Sequence, residues 1–223
     1  MRLRDDVPVA RATFDDPNLV SCAGLVPVMR LAESVDLSGI VAARVSLPGD
    51  KGCNPAGKLS AIVAGMIAGA DSISDLNVIR HGGMGSLFAG VYAPSTLGEF
   101  LREFTHGHVR QVQAASRQLL ARLARRTPLL PDAGHLMFVD VDSMLRRVYG
   151  KTKQGAGFGH TKVGGYDVRL RGLNPLIATL STVDAAPVVA ATRLRAGNAG
   201  SPARGGLAGG RGDQHCPRVR RRR

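Results

Sequence analysis

The chain has 223 residues, 44% of them hydrophobic, which is enough to bury the core of one large domain or two modest ones. No stretch reaches the roughly 18 to 20 consecutive apolar residues of a membrane-spanning helix, and no apolar signal-peptide core follows the start, so we expect no membrane partner and a cytoplasmic location. The formal net charge of +13 favours a polyanion as partner, whereas three widely separated cysteines argue against a disulfide framework or a zinc site.

The first predicted elements are a flexible lead-in and short helices. Residues 1–20 are polar and show no sustained apolar period, which predicts a loosely ordered segment. Apolar residues at helical spacing then predict a helix over 21–34, and Asp36 is placed to cap a second one. Asn54 followed by Pro55 predicts the start of a third, amphipathic helix, because asparagine caps free N–H groups and proline fits the first turn.

The next segments contain glycines that indicate close contacts or turns, and a capping pattern that indicates a helix start. Gly65 and Gly69, within the third helix, would let another backbone come close. The glycine cluster at 82–85 predicts a turn or loop. Thr96 and Glu99 have capping-box spacing and predict the start of a further helix.

A longer helix is predicted over 109–126, with an apolar stripe on one side and arginines on the other. The arginines are Arg110, Arg117, Arg122, Arg125 and Arg126. Two interpretations stay open, because a solvated helix face and a stripe that contacts DNA phosphates have the same composition. The helix completes a helical region over 21–130 that we expect to bind DNA or to mediate dimerisation.

Beyond this helix the pattern becomes that of strands. Residues 136–142 have the apolar character of a buried strand, and Asp140 and Asp142 share one side of it because strand side chains alternate. Further strands are predicted over 176–181 and 188–194, after a glycine-rich stretch. The fold class is therefore α+β, with the helical region followed by the opening strands of a mixed α/β domain.

The two aspartates carry the sharpest chemical hypothesis. Two carboxylates at the polar edge of an apolar strand can bind a hard divalent cation, although a D-x-D pair also commonly ends a strand and caps a turn. Both interpretations stay open from these residues alone. Two-metal phosphodiester cleavage would need at least one more acidic residue, and downstream the chain offers Asp167, Asp184 and Asp213.

Both halves of the chain contain several distinct short motifs. In the first half they are 54–58 (NPAGK), 64–73, 80–84 and 93–105. In the second half they are 138–143 (FVDVDS), 148–151 (VYGK), 153–160, 172–182 and 190–201. In order and spacing, over roughly residues 21–201, these motifs resemble those of bacterial insertion-sequence transposases of the DDE type.

The resemblance implies a partial RNase H-like catalytic domain over 131–200, Mg²⁺ or Mn²⁺ as the cofactor of the intact family without productive binding being required in this chain, and the terminal repeats of a mobile DNA element as partner. It places Asp142 at the position of the first catalytic aspartate, which coordinates both metal ions, with Asp140 as the alternative. The family has a threonine two residues further on, where this chain has Met144. Lys151 and Lys153 join the five arginines as expected DNA contacts.

The resemblance also leaves gaps. The second aspartate and the glutamate of the DDE triad have no counterpart in this chain. The sequence becomes rich in glycine and arginine over 201–223, where we expect a disordered tail. Asp167 lies in what looks like a small surface insertion. We therefore expect a protein of DNA transposition that is truncated and catalytically inactive. The alternative is a noncatalytic DNA-binding fragment or an inhibitor of intact transposase. A homo-oligomer or a mixed oligomer with intact transposase is the expected assembly.

Overall fold

The computed structural model describes residues 16–88, 90–130, 136–150, 152–183 and 186–200. Its class is mixed α+β, as predicted, with helices first and two small antiparallel sheets after them. The tail over 201–223 and residues 1–15 of the predicted lead-in lie outside the described residues. No helix in the described ranges is both long and apolar enough to cross a membrane.

Contacts between Cα atoms divide the chain into two compact units, 1–104 and 105–223. The long arginine-bearing helix therefore groups with the strands rather than with the shorter helices. The described helices end at Arg126 and the described strands begin at Phe138, whereas the boundary between the compact units lies before this helix.

The described residues of the first unit contain four α-helices: α1 (Leu25–Ser34), α2 (Leu37–Arg44), α3 (Pro55–Ile67) and α4 (Pro94–Arg102). Short 3-10 helices lie between them at Asp50–Gly52, Ser74–Ile79 and Gly82–Ser86. The predicted helices are confirmed, although α1 begins four residues later than predicted.

Asp36 and Asn54 cap α2 and α3, as predicted. Each has a left-handed backbone, with φ of 61° and 48°, which short polar side chains tolerate better than other residues do. Each side-chain oxygen accepts a hydrogen bond of 3.1 Å from the backbone N–H of a glycine three residues on, Gly39 and Gly57 respectively. A Cβ at either glycine would collide with the capping side chain, so cap and glycine are matched.

The first unit has a compact apolar core. One buried cluster consists of Leu25, Ala64, Ile79 and Met84. Gly65 makes a close approach, because a Cβ there would collide with the side chain of Leu76, although the prediction was the approach of another backbone. Gly69 does not, since it lies beyond the end of α3 in open surroundings with φ of 97°, a conformation that ends helices.

α4 begins two residues before the predicted capping threonine. Its N-cap is Ala93, which makes no side-chain hydrogen bond, so the prediction of a capping box between Thr96 and Glu99 is wrong. The physical reason is Pro94 at the first helical position, where a fixed φ suits the helix and no N–H needs a cap.

In the second unit α5 (His106–Arg126) precedes six described strands. The strands are β1 (Phe138–Ser143), β2 (Arg146–Arg147), β3 (Gly157–Val163), β4 (Tyr166–Leu173), β5 (Leu176–Ser181) and β6 (Val188–Arg193). One sheet has the order β1-β5-β6 and the other β2-β4-β3, and all pairings are antiparallel. α5 packs against β6, and Ala115 of its predicted apolar stripe is buried.

One antiparallel ribbon connects the two sheets. β1 and β2 pair with β5 and β4 in a register that does not shift between Phe138 and Arg147. In the gap between the sheets the Met144 N–H still donates to the Pro175 carbonyl oxygen at 3.2 Å. Pro175 has no N–H to return, which interrupts the ladder there. Because the register is constant, even-numbered residues of β1 and β2 stay on one face of the ribbon.

The glycine-rich stretch forms a hairpin that was not among the predicted strands. β3 and β4 join at Gly164 and Gly165, whose φ values are 58° and 88°, and Val163 pairs with Tyr166 across the turn. Two-residue turns with positive φ at both positions match the twist of the flanking strands, which explains the two glycines. The Gly-Gly pair was the sequence signal that could have revealed this hairpin.

After β6 the chain returns across the second sheet, and glycines make room for it. Ala196 forms a bridge with Leu173 of β4. A Cβ on Gly159 would collide with the carbonyl oxygen of Gly197, and a Cβ on Gly197 would collide with that of Gly172. Three motifs that lie far apart in the sequence, within 153–160, 172–182 and 190–201, therefore pack in one place.

Candidate functional site

Asp140 and Asp142 lie on the same face of β1, as predicted for two carboxylates in one strand. Thr179 and Ile177 of β5 lie opposite them, and both carboxylates are exposed. Their Cα atoms are two strand rises apart, about 7 Å. The backbone N–H of Ser143 donates to Asp142 Oδ1 at 2.7 Å, which orients this carboxylate.

β1 is not the buried strand that its apolar sequence predicted. It is an edge strand of its sheet, and Val139 and Val141 are 63% and 57% exposed. Phe138, on the face that carries the aspartates, is also exposed. A run of apolar residues does not distinguish an edge strand from a central one, because the pattern records side-chain type and not the number of strand neighbours.

The carboxylate pair fits a hard divalent cation. Mg²⁺ keeps several waters and is usually bound by one or two carboxylates together with substrate phosphates, and an exposed pair on an open face allows this. Within the described ranges no three His, Cys, Asp or Glu side chains come together as a metal-binding group. Asp167 is exposed on β4 opposite Lys162, a surface position as predicted, and Asp184 and Asp213 lie outside the described residues.

α5 presents arginines to solvent. Arg110, Arg117 and Arg125 recur at intervals of seven and eight residues, so they follow one side of the helix; we call them the arginine stripe. All three are exposed, as is Arg126, whereas Arg122 is half-buried. The helix contains no acidic residue, so no carboxylate of α5 balances the charge of the stripe.

The start of α5 is fixed to the loop before β3. The His106 N–H donates to Gln154 Oε1 at 2.9 Å, and the Thr105 N–H donates to His108 Nδ1 at 3.1 Å. These bonds satisfy free N–H groups at the helix start, and the helix begins three residues earlier than predicted. Lys153, a predicted DNA contact, is exposed next to Gln154, and Lys151 lies outside the described residues.

Lys58 is a buried cation that the sequence analysis did not single out. Its side chain is 3% exposed, and Nζ donates to the Lys51 carbonyl oxygen at 2.8 Å. Nζ also lies 5.7 Å and 5.3 Å from the ring centroids of Tyr92 and Phe100. A carbonyl dipole and two aromatic faces thus stabilise the ammonium, and the residue holds α3 to α4. Lys58 is four residues before Ile62 and so lies on the apolar side of α3; this spacing could have predicted that its side chain is buried.

No family model matches the chain, and no curated protein and no solved structure matches it. The chemistry of the carboxylate pair and the basic surfaces of the second unit are therefore what the structure offers for a functional proposal.

Proposed function

We propose that the protein acts on DNA in the transposition of an insertion sequence, as a truncated polypeptide of the DDE transposase type with a partial RNase H-like domain over 131–200. The observation that carries the proposal is the pair of exposed carboxylates, Asp140 and Asp142, side by side on β1. The order β1-β5-β6 supports it, because the three strands predicted for that domain are neighbours in one sheet. The segment 167–172, where a small insertion was expected, lies within β4.

Asp140 and Asp142 are the residues that would hold Mg²⁺ or Mn²⁺. The Ser143 N–H occupies one lone pair of Asp142 Oδ1 and leaves Oδ2 and both Asp140 oxygens available. A bound ion would polarise a phosphodiester oxygen and offset its charge. Cutting and joining by the two-metal route need a further carboxylate, so we propose that these residues position a DNA end and do not cut it unaided.

The arginine stripe is the proposed contact for duplex phosphates. Arg110 and Arg117 are two helical turns apart, about 10 Å along the axis. Guanidinium groups bind phosphate oxygens by charge-assisted hydrogen bonds, and each neutralised phosphate releases condensed counterions. Binding of this kind is independent of base sequence and weakens as salt rises.

The test is binding of duplex DNA by the full chain, followed by fluorescence anisotropy at several salt concentrations. The double variant Arg110→Gln/Arg117→Gln removes two phosphate contacts. We expect the slope of log Kd against log salt to become shallower by about 2, and the affinity at low salt to fall by about tenfold or more.

A matched control removes the same charge elsewhere. Arg30 and Arg102 are exposed on α1 and α4, so Arg30→Gln/Arg102→Gln lowers the net charge equally without touching the stripe. The control should leave the salt slope within about 0.5 of the parent value. Equal losses in both double variants would mean that the chain attracts DNA by its overall charge alone, and the role of α5 would be withdrawn.

A second candidate function is noncatalytic DNA binding, either by an inert fragment or by an inhibitor of intact transposase. The abundance of arginine on α5 favours it, since the stripe needs no carboxylate to work. The Asp142→Asn variant distinguishes the two. In the transposase proposal it weakens DNA binding at a fixed Mg²⁺ concentration, whereas in the noncatalytic one it leaves binding unchanged or tightens it by removing a negative charge.

A further inference from the structure

The second sheet has a face that is rich in basic side chains. β3 contributes Phe158, His160 and Lys162, and directly opposite them β4 contributes Arg171, Arg169 and Asp167. Opposed residues of an antiparallel pair point to the same side, so these six residues share one face, which we call the open face.

The open face is turned to solvent, whereas the reverse face is covered where the returning chain packs on it. Five of its six residues are exposed, and Arg171 is half-buried. On the reverse face Gly159 and Gly172 are buried, where the returning chain around Gly197 packs against them. The reverse face is exposed only towards the hairpin turn, at Val163 and Tyr166, so the basic side is the one that stays open along most of its length.

Phe158 stands among these charges with an exposed ring. Its side chain is 55% exposed, and the Arg169 guanidinium lies over the ring, 5.3 Å from its centroid. A cation over one side of the ring leaves the other side available for stacking. Across the open face three cations, Lys162, Arg169 and Arg171, stand against the single carboxylate of Asp167.

Positive charge combined with an aromatic ring fits a strand of nucleic acid whose bases are unpaired. Phosphates neutralise the cations, and a base can stack on the ring whatever its identity. In a duplex the bases already stack on one another, so Phe158 can stack only on a base that has left the helix. An acidic peptide would satisfy the charge and leave the ring unused.

The ribbon places this face in line with the carboxylate pair. The Met144 N–H donates to Pro175 and the Val148 N–H donates to Arg171, each to the carbonyl oxygen at 3.2 Å, so the same register continues from β1 to β4. Arg171 therefore lies on the same face of the ribbon as Asp142. Arg171 is six residues from Ile177, the partner of Asp142, which is about 20 Å if each residue advances by one strand rise.

We propose that the open face binds single-stranded DNA, with an unpaired base stacked on Phe158 and neighbouring phosphates on Lys162 and Arg169, while the Arg171 guanidinium, which donates to the Gly150 carbonyl oxygen, adds positive charge beside them. A strand bound in this way can extend along the ribbon towards Asp140 and Asp142. The inference deepens the proposed function, because it takes DNA as the substrate and adds an unpaired strand beside the carboxylates.

The chain contains no tryptophan, which makes a direct optical test possible. In the Phe158→Trp variant of the full chain the indole is the sole tryptophan, and stacking on a base quenches its fluorescence. The matched control is Tyr166→Trp, since Tyr166 is 78% exposed on the reverse face of the same hairpin. Titration with a 15-nucleotide oligothymidine should quench the first variant by more than about half and the second by less than about a tenth.

Affinity supplies an independent readout. Phe158→Leu keeps an apolar side chain and removes the ring, so its Kd for the oligothymidine should rise by about 5- to 30-fold, while the Kd for a duplex of equal length changes less than about twofold. Tyr166→Leu should change neither constant by more than about twofold. Equal effects of the two leucine variants, or oligothymidine binding without quenching in Phe158→Trp, would overturn the proposal, as would a parent chain that does not bind the oligonucleotide.

Failure of this inference can be told apart from failure of the proposed function. Arg110→Gln/Arg117→Gln should weaken duplex binding and leave the quenching of Phe158→Trp intact, because α5 and the open face are different surfaces. Poly-glutamate should not quench Phe158→Trp. If it quenches as strongly as oligothymidine, the face is a general polyanion site, and the proposal of base stacking is wrong.

Discussion

Gly197 lies so close to the carbonyl oxygen of Gly172 that a Cβ on Gly197 would collide with it. The contact holds the chain after β6 against the second sheet, and the Gly197 N–H adds a hydrogen bond of 3.2 Å to the Gly155 carbonyl oxygen. The Gly172 oxygen is a backbone atom, and the backbone fixes the position of a Cβ on Gly197. Neither atom could move aside without a shift of the main chain. The close approach makes the packing of the second unit depend on glycine at this position.

We predict that Gly197→Ala destabilises the second unit by about 1–3 kcal/mol, because the added methyl group overpacks a backbone contact. Chemical denaturation followed by circular dichroism measures the change. Gly107 provides the control, since it lies in the first turn of α5 with only an ordinary contact at its Cβ position. Gly107→Ala should leave stability unchanged or raise it by about 0.5–1 kcal/mol. If the two variants were equally stable, the close backbone contact described at Gly197 would be wrong.

The buried ammonium of Lys58 should contribute to the stability of the first unit. Lys58→Met keeps most of the side-chain volume and removes the hydrogen bond to Lys51 and the interaction with the rings of Tyr92 and Phe100. We expect a loss of about 1–2 kcal/mol in the free energy of unfolding, measured by urea denaturation. A more stable Lys58→Met variant would show that the desolvation cost of the ammonium exceeds these interactions.

Asp75, in the first turn of the 3-10 helix Ser74–Ile79, gives a pH-dependent prediction. The Ser72 hydroxyl donates to Asp75 Oδ2 at 2.6 Å, and this bond, with others from Ser72 and Asp71, holds the pKa of Asp75 below its usual value. A lowered pKa in the folded state means that the bond stabilises the fold above the unfolded pKa and that the benefit is lost as pH falls through the folded pKa. Ser72→Ala should raise the pKa of Asp75 in a carboxyl NMR titration, whereas Ser72→Thr should not. An unchanged pKa in Ser72→Ala would contradict the assignment.

The sequence predicted features whose causes are local. The caps at Asp36 and Asn54 depend on side-chain chemistry within three residues, and both were predicted correctly. The shared side of Asp140 and Asp142 follows from strand alternation alone. The exposure of β1 depends on its place at the edge of a sheet, which no local pattern encodes. The packing of Gly197 on the second sheet brings together distant segments, so periodicity could not predict it either.

The carboxylate pair should bind a divalent cation. Added Mn²⁺ should broaden the amide NMR signals of β1 and of the opposing residues Ile177–Thr179 at lower Mn²⁺ concentrations than it broadens the signals of other residues. The reason is that paramagnetic relaxation falls steeply with distance. Asp142→Asn should remove this localised broadening. Asp167→Asn is the matched control, since Asp167 is an exposed strand aspartate on the other sheet. Identical broadening in the parent and in Asp142→Asn would show that the pair is not the metal site.

Hydrogen–deuterium exchange of the full chain with and without duplex DNA, read by mass spectrometry in Mg²⁺, tests the central claim most directly. The proposal that DNA is held by the arginine stripe of α5 and presented to the carboxylates of β1 predicts slower exchange in peptides that cover 106–126 and 138–143. Peptides of the first unit that cover α1 and α4 should exchange at unchanged rates. Tight DNA binding that leaves 106–126 and 138–143 unprotected, or no binding at low salt, would contradict the proposed function.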